Sequence, residues 1–135
     1  MLRILLATIT VLACCTQNKT RTMDRTTTSP ECSTSSEVER SFNKVCTVVG
    51  VYELNEFYTK KKTLMANWPV VVLDDGKVVL IESLWDKTKR HDDATIANYQ
   101  GKRVRVTGKL HGQPPGSIQN ISVPCVSPVD DIRLE

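Results

Sequence analysis

Aromatic residues are scarce in this 135-residue chain, in which Phe, Trp and Tyr together make up 5%. Its core must therefore be built mainly from Val, Ile and Leu, and Val and Ile are β-branched residues that favour strands. Only one stretch, residues 91–102, carries helical spacing. The composition therefore predicts a mainly β domain.

The chain also lacks the short motifs of common catalytic sites. It contains no GxSxG, no HExxH and no glycine-rich phosphate loop. His91, followed by Asp92 and Asp93, could be a base with an orienting carboxylate, but the same HDDA sequence fits a loop that caps a helix. We therefore predict that the protein is not an enzyme, with no catalytic residues and no cofactor.

Metal-binding and nucleic-acid-binding patterns are missing as well. No pair of cysteines has CxxC spacing, and both histidines, His91 and His111, are remote from the cysteines in sequence, so no metal site is predicted. Residues 44–135 hold 13 Lys and Arg against 11 Asp and Glu, a formal charge of only +2. Nucleic-acid binding, which requires a larger basic excess, is therefore not predicted.

The N-terminal apolar run is too short to span a bilayer, which takes about 20 residues. It covers residues 4–13, ILLATITVLA, and follows a single basic residue, Arg3. This arrangement has the basic start and the apolar centre of a secretory signal. We therefore predict that residues 1–13 are a signal peptide and that the mature protein is exported.

A cysteine follows this run directly, because the tripeptide VLA at residues 11–13 precedes Cys14. The pattern resembles the lipobox of bacterial lipoproteins. The resemblance implies that Cys14 is lipidated, becomes the first mature residue and anchors the protein to a membrane. Because Cys15 is not Asp, the sorting rule of Gram-negative lipoproteins implies the outer membrane of the cell envelope. The alternative is a freely secreted protein that is cleaved after Ala13.

Residues 14–43 are dominated by Thr, Ser and charged residues. Their few apolar residues, such as Met23 and Val38, show no period. Such a composition buries too little apolar surface to offset the entropy of ordering. We therefore predict that this segment, including the lipidated N-terminus, is a disordered tether.

Residues 44–135 are predicted to form one small domain. A β-rich run at 45–54 contains Gly50, which indicates a bulge or a sharp bend. The sequence DDGK at 74–77 joins two strands as a hairpin, because Asp and Gly accept a positive φ. Asp92 or Asp93 begins a short helix that ends at Gly101, and strands follow at 103–110 and 129–135.

This order, three strands, a helix and two further strands with a glycine inside the first, resembles the OB-fold. The resemblance implies a five-stranded Greek-key barrel, with the helix between its third and fourth strands and a ligand held near its second and third strands by two loops. The alternatives are an SH3-like barrel or part of a β-sandwich.

Two cysteines, Cys46 and Cys125, lie inside the predicted domain. In an oxidising exported compartment such cysteines are more often paired than free, so we predict a Cys46–Cys125 disulfide. The alternative is that Cys32 pairs with one of them and joins the tether to the domain.

The loops that the OB resemblance assigns to ligand binding are residues 59–68 and 111–119. The first loop combines a basic run with aromatic neighbours, which suits an anionic or ring-bearing ligand. The alternative is a solvated hairpin whose tryptophan covers the barrel. The predicted ligand-binding residues are Lys60, Lys61, Lys62, Trp68 and His111.

Two functions fit these features. The first is a non-enzymatic envelope lipoprotein whose barrel binds a small ligand, a glycan or a peptide. The second is a structural component that docks another envelope protein and has no small-molecule pocket. An exposed flat apolar face on the second and third barrel strands, with Trp85 at its edge, would favour the second function.

Overall fold

The structure is a computed structural model that describes residues 28–117 and 121–135. Within these two ranges the chain forms strands, two α-helices and one 3₁₀ turn at Lys87–Lys89. The prediction of a mainly β domain is confirmed. The strands are β1 (Glu31–Cys32), β2 (Val45–Tyr58), β3 (Leu64–Val72), β4 (Val78–Ile81), β5 (Arg103–His111) and β6 (Cys125–Leu134), and the helices are α1 (Ser35–Arg40) and α2 (Asp93–Tyr99).

The six strands of the described residues belong to one sheet with the order β1-β2-β3-β4-β6-β5. The pairs β1–β2 and β4–β6 are parallel, and the other pairs are antiparallel. An additional pairing joins β5 to β2. The hydrogen bonding therefore runs from β2 through β3, β4, β6 and β5 and returns to β2.

Strand β2 has 14 residues and can therefore pair with two strands. Residues 45–51 pair with β5, and residues 51–58 pair with β3. Gly50 lies where the partner changes, and the register on β5 is continuous through it, without a bulge. A Cβ at this position would lie 2.2 Å from the backbone oxygen of Val72. Glycine is therefore required here by the close approach of β3.

The main core lies on one face of the strands. Alternate residues along a strand share a face, and every second residue of β2 from Cys46 to Tyr52, Gly50 aside, belongs to this core. Helix α2 contributes Ile96, and the ring centroid of Tyr99 lies 5.6 Å from that of Tyr52. On β3 to β6 the main core contains Val71, Val79, Ile81, Val104, Val106, Leu110 and Val126.

A second apolar cluster covers the opposite face of β3, β4 and β6. Trp68 and Leu80 lie at its centre and are completely buried. The chain covers this face itself, because Leu84 and Trp85 after β4 and two residues of the β5–β6 loop, Ile121 and Val123, pack there. The outer face of β3 and β4 is therefore not an exposed apolar patch.

The predicted turn and helix signals are confirmed. In the DDGK turn, Gly76 has a φ of 82°, and the backbone N–H of Leu73 donates to the oxygen of Lys77 at 2.8 Å. Asp92 caps α2 by accepting the backbone N–H of Thr95 at 2.8 Å. Helix α2 lies between β4 and β5, as predicted.

The prediction of a disordered tether is wrong for residues 31–40, which form β1 and α1 and raise the strand number from five to six. Cys32 and Val38 are 1% exposed and belong to the main core. Glu37 accepts the N–H of Thr34 at 3.1 Å, which caps the start of α1. The order of this segment comes from non-local contacts that its polar composition does not reveal.

The predicted Cys46–Cys125 disulfide is also wrong, because the two residues lie on opposite faces of the sheet. Cys32, Cys46 and Cys125 are all buried thiols. On β5, Gly108 lies opposite Cys46 and His111 lies opposite Cys125. Positions 108 and 111 are an odd number of residues apart, so their cross-strand partners point to opposite faces. The two sulfurs therefore belong to different clusters and do not meet.

Candidate functional site

The lysine run forms the turn of the hairpin that joins β2 to β3. The N–H of Thr59 donates to the oxygen of Thr63 at 2.9 Å, and the N–H of Lys62 donates to the oxygen of Thr59 at 2.9 Å. Lys62 has a φ of 62°, the left-handed conformation that three-residue hairpin loops require at this point. This backbone leaves Lys60 and Lys61 exposed at the tip of the turn.

A groove of about 660 Å³ lies beside this turn. The hairpin supplies most of its wall, and Ile121 of the β5–β6 loop supplies another part. Tyr58 is 54% exposed at its edge, where its hydroxyl donates to the carboxylate of Glu56. That hydrogen bond raises the pKa of Tyr58. The hairpin residues that line the groove are Tyr58, Thr59, Lys60, Lys61, Thr63 and Met65.

Lys60 and Lys61 therefore occupy the predicted site. Neither lysine takes part in an ion pair with any other residue in the part of the chain that the structure describes. Lys62 belongs to the same turn but does not line the groove. Two unpaired ammonium groups beside an exposed phenol ring form a surface that attracts anions and offers a face for stacking.

Trp68, a predicted ligand-binding residue, does not belong to this site. It is 0% exposed, and its indole N–H donates to the oxygens of Ile81 and Glu82 at 2.9 and 3.1 Å. The Lys87 ammonium lies over its ring, 5.5 Å from the ring centroid. A ring buried in this way cannot stack on a ligand, so Trp68 is a structural residue.

His111, the other predicted member, also lies apart from the groove. Its Nε2 atom is 2.7 Å from the backbone oxygen of Ser127, and its side chain is half-buried. Sequence reasoning missed Met65 and Ile121 of the groove. The alternation of β3 could have placed Met65, but no local signal indicates that the β5–β6 loop folds back against the hairpin.

Glu82 is a buried carboxylate, 7% exposed, in a second polar region beyond β4. Its two oxygens accept the Ser127 hydroxyl at 2.8 Å and the Val129 N–H at 2.7 Å. These bonds join the end of β4 to β6. Both carboxylate oxygens therefore have hydrogen-bond partners within the protein.

His91, which is half-buried, forms a polar pair with Tyr52 of the main core. The Tyr52 hydroxyl lies 2.8 Å from His91 Nδ1, and the two rings are nearly parallel with centroids 5.9 Å apart. Asp92, next in the sequence, is occupied with capping α2. The base-and-carboxylate arrangement that HDDA could have formed is therefore absent from this part of the structure.

We expect the stability of the protein to fall as the pH drops below 6.5, because burial lowers the pKa of His91 from that value. The unfolded chain then binds a proton that the folded chain does not, so the free energy of unfolding decreases as the pH falls through this window. Glu82 and Asp92 oppose the shift and Arg90 adds to it. Urea midpoints measured between about pH 7 and pH 5 test this expectation.

The matched variant is His91→Gln, which keeps a hydrogen-bonding group near Tyr52 and removes the titration. Its urea midpoint should change less with pH over this window than that of the wild type. An equal slope in both proteins would show that His91 does not carry the effect.

Within 28–117 and 121–135, no three His, Cys, Asp or Glu side chains come together as a metal site. No helix in these ranges is long and apolar enough to cross a bilayer. The predicted signal peptide and Cys14 lie outside the described residues.

Comparison of the chain with protein-family models, with curated proteins and with solved structures finds no match. Any functional conclusion therefore depends on the geometry of the chain itself.

Proposed function

We propose that this protein is a non-enzymatic, exported lipoprotein of the cell envelope whose OB-like barrel binds an anionic ligand beside the β2–β3 hairpin. The observation that carries the proposal is the pair Lys60 and Lys61, exposed and unpaired among the described residues, at the wall of a 660 Å³ groove. A glycan that carries carboxylate or sulfate groups fits this surface best, because Tyr58 offers an aromatic face next to the two charges.

The OB-like architecture is supported by the pairing order of β2 to β6. The hydrogen bonding returns from β5 to β2, β4 and β6 are parallel, and α2 lies between β4 and β5. In an OB barrel the loops after the first and fourth barrel strands flank the ligand. The first of those loops corresponds here to residues 59–63, and the second is the β5–β6 loop, which contributes Ile121 to the groove.

The second candidate function, a structural component that docks through the outer face of β3 and β4, has less support. Leu84 is fully buried on that face, and Trp85, Ile121 and Val123 pack over it. A partner would have to displace these side chains before it could reach the sheet. The hairpin groove, in contrast, is open.

In this proposal, the lipid on Cys14 anchors the protein to a membrane, which in a Gram-negative host is the outer membrane. The intact mass of protein extracted from membranes tests this part. A mature chain that begins at Cys14 and carries diacylglycerol and an acyl group would support it. An unlipidated chain would leave a freely secreted protein.

We expect the double variant Lys60→Gln/Lys61→Gln to bind a sulfated oligosaccharide roughly fivefold to tenfold more weakly at low salt, because each exposed ion pair contributes about 0.2–1 kcal/mol. The affinity of the wild type should fall with added salt, and that of the variant should fall less. Titration calorimetry at two ionic strengths measures both effects.

The matched control is Lys44→Gln/Lys109→Gln, which changes the net charge equally at two exposed lysines outside the groove. It should retain the wild-type affinity. An equal loss in both double variants would mean that the protein attracts anions through its net charge and has no site at the hairpin. If an acidic peptide bound with the same affinity as the oligosaccharide, the ligand class would be anionic peptides as well as glycans, and the site would still be the hairpin groove.

A further inference from the structure

We propose that Cys32 and Cys46 form a disulfide that ties β1 to β2 when the protein meets a disulfide donor. This inference rests on the proposed export in one respect only, because an exported protein would meet the donor in an oxidising compartment. The geometry of the two cysteines does not depend on that location. The bond would fix the N-terminal segment to the sheet.

The register of β1 on β2 brings the two side chains to the same face. Cys32 lies opposite Val48 in a parallel pair, and Cys46 is two residues before Val48 on the same strand. Residues two apart on a strand point to the same side. Both sulfurs therefore project into the main core, where Cys32 is 1% and Cys46 0% exposed.

The electrostatics of Cys46 support this proximity. Burial raises the pKa of its thiol, and the neighbouring Cys32 thiol raises it further, both by charge repulsion and by a side-chain hydrogen bond. The Cys32 thiol also donates toward the hydroxyl of Ser41 at 3.3 Å. Cys125 has no such relation to either residue, because it belongs to the cluster on the opposite face.

Closing the bond requires only a small movement of a short element. Residues two positions out of register on paired strands have Cα atoms roughly 8 Å apart, from a strand spacing of about 4.8 Å and a rise of about 3.3 Å per residue, whereas a disulfide needs about 4.4–6.8 Å. Strand β1 has two residues and lies at the edge of the sheet order. Backbone bonds such as Thr47 N–H to Pro30 oxygen, at 2.8 Å, hold it in place. A strand of this length can open to admit the donor and can shift to close the bond.

The chemistry is thiol–disulfide exchange with a small or protein disulfide as the oxidant. One cysteine, as its thiolate, attacks a donor sulfur, breaks the donor S–S bond and releases the first donor thiol. The other cysteine then attacks this mixed disulfide and releases the second donor thiol. In total, two protein S–H bonds and one donor S–S bond are exchanged for one protein S–S bond and two donor S–H bonds.

The test is non-reducing peptide mapping of the purified full chain after treatment with oxidised glutathione. Trypsin places Cys32, Cys46 and Cys125 in separate peptides, 26–40, 45–60 and 110–133, and leaves Cys14 and Cys15 outside all three. We expect a linked pair of the first two peptides, lighter by two hydrogen atoms than their sum, with Cys125 alkylated. Both thiols alkylated, or a link to peptide 110–133, would overturn the proposal.

Variants and thermal unfolding add a second readout. The link should persist in Cys125→Ala and disappear in Cys32→Ala. Because the closed loop is about 15 residues, the oxidised wild type should unfold roughly 10 °C above the reduced protein, and Cys32→Ala should show no difference between oxidised and reduced samples. A shift of equal size in Cys32→Ala would contradict the assignment.

Protein isolated from its host under acid quenching separates this inference from the proposed export. A Cys32–Cys46 link in that sample supports both. If Cys32 and Cys46 are reduced in the cell but form the disulfide with oxidised glutathione, the result would support the Cys32–Cys46 pairing and count against an oxidising compartment.

Discussion

We expect the Gly50→Ala substitution to destabilise the protein by about 3 kcal/mol or more, enough to unfold much of a small domain. A Cβ at residue 50 would lie 2.2 Å from the backbone oxygen of Val72 and 2.8 Å from Val71 Cγ1. The first contact is with backbone, so no change of rotamer relieves it. Strand β2 would have to move away from β3 and lose hydrogen bonds just where its partner changes.

The control for this prediction is Gly76→Ala in the β3–β4 turn. A Cβ at Gly76 has nothing within 4 Å, so its cost comes only from the positive φ of 82° and should be about 1 kcal/mol. Gly108→Ala should behave like Gly50→Ala, because its Cβ would lie 2.3 Å from the oxygen of Pro128. Urea unfolding of the three variants gives the comparison, and Gly50→Ala no less stable than Gly76→Ala would contradict the close approach.

The elements that sequence reasoning predicted are those whose signals are local. The DDGK turn depends on the conformational preferences of four neighbouring residues, and the start of α2 depends on Asp92 and on Thr95 three positions later. The bulge expected at Gly50 is not present, because the register on β5 is continuous there, and glycine is required instead by a close contact with β3. The residues next to Gly50 in the sequence do not indicate that Val72 lies against it.

The predictions that failed depend on contacts between distant residues. The segment 31–40 has a helix-capping pattern, Thr34 with Glu37, but its order depends on pairing with β2 and on Asp75, which accepts the N–H and hydroxyl of Ser35 at 2.9 and 2.5 Å. The predicted Cys46–Cys125 disulfide is wrong because the two cysteines lie on opposite faces of the sheet. Those faces follow only from the registers of β2 and β6 on β5, which the sequence does not give.

In the candidate site, too, the residues with local signals could be predicted and those that depend on distant contacts could not. Lys60 and Lys61 are neighbours in sequence, so their common exposure in a hairpin turn could be predicted. Trp68 lies only a few residues later, but the face of β3 on which it falls is covered by Leu84 and by the β5–β6 loop. That covering converts an expected binding residue into a core residue, and it also closes the outer face that OB domains commonly offer to ligands.

The two tryptophans provide the second large expected effect. Trp68→Phe should lower the free energy of unfolding by about 2–3 kcal/mol, because it leaves a gap in the second cluster and leaves the Ile81 and Glu82 oxygens without the indole donor. Trp85→Phe should be close to neutral or slightly stabilising. Its indole nitrogen is buried without a hydrogen-bond partner among the described residues, so removal of that N–H relieves a desolvation cost.

Both substitutions remove an indole group, so the difference between them combines the loss of two hydrogen bonds at Trp68 with the deeper burial of that ring. Urea unfolding measures the stabilities, and titration with the sulfated oligosaccharide below the unfolding transition measures binding. Because neither tryptophan lines the hairpin groove, both variants should bind like the wild type. If folded Trp68→Phe lost affinity as strongly as Lys60→Gln/Lys61→Gln, the ligand would have to reach the face of β3 and β4, and the β5–β6 loop would have to open to admit it.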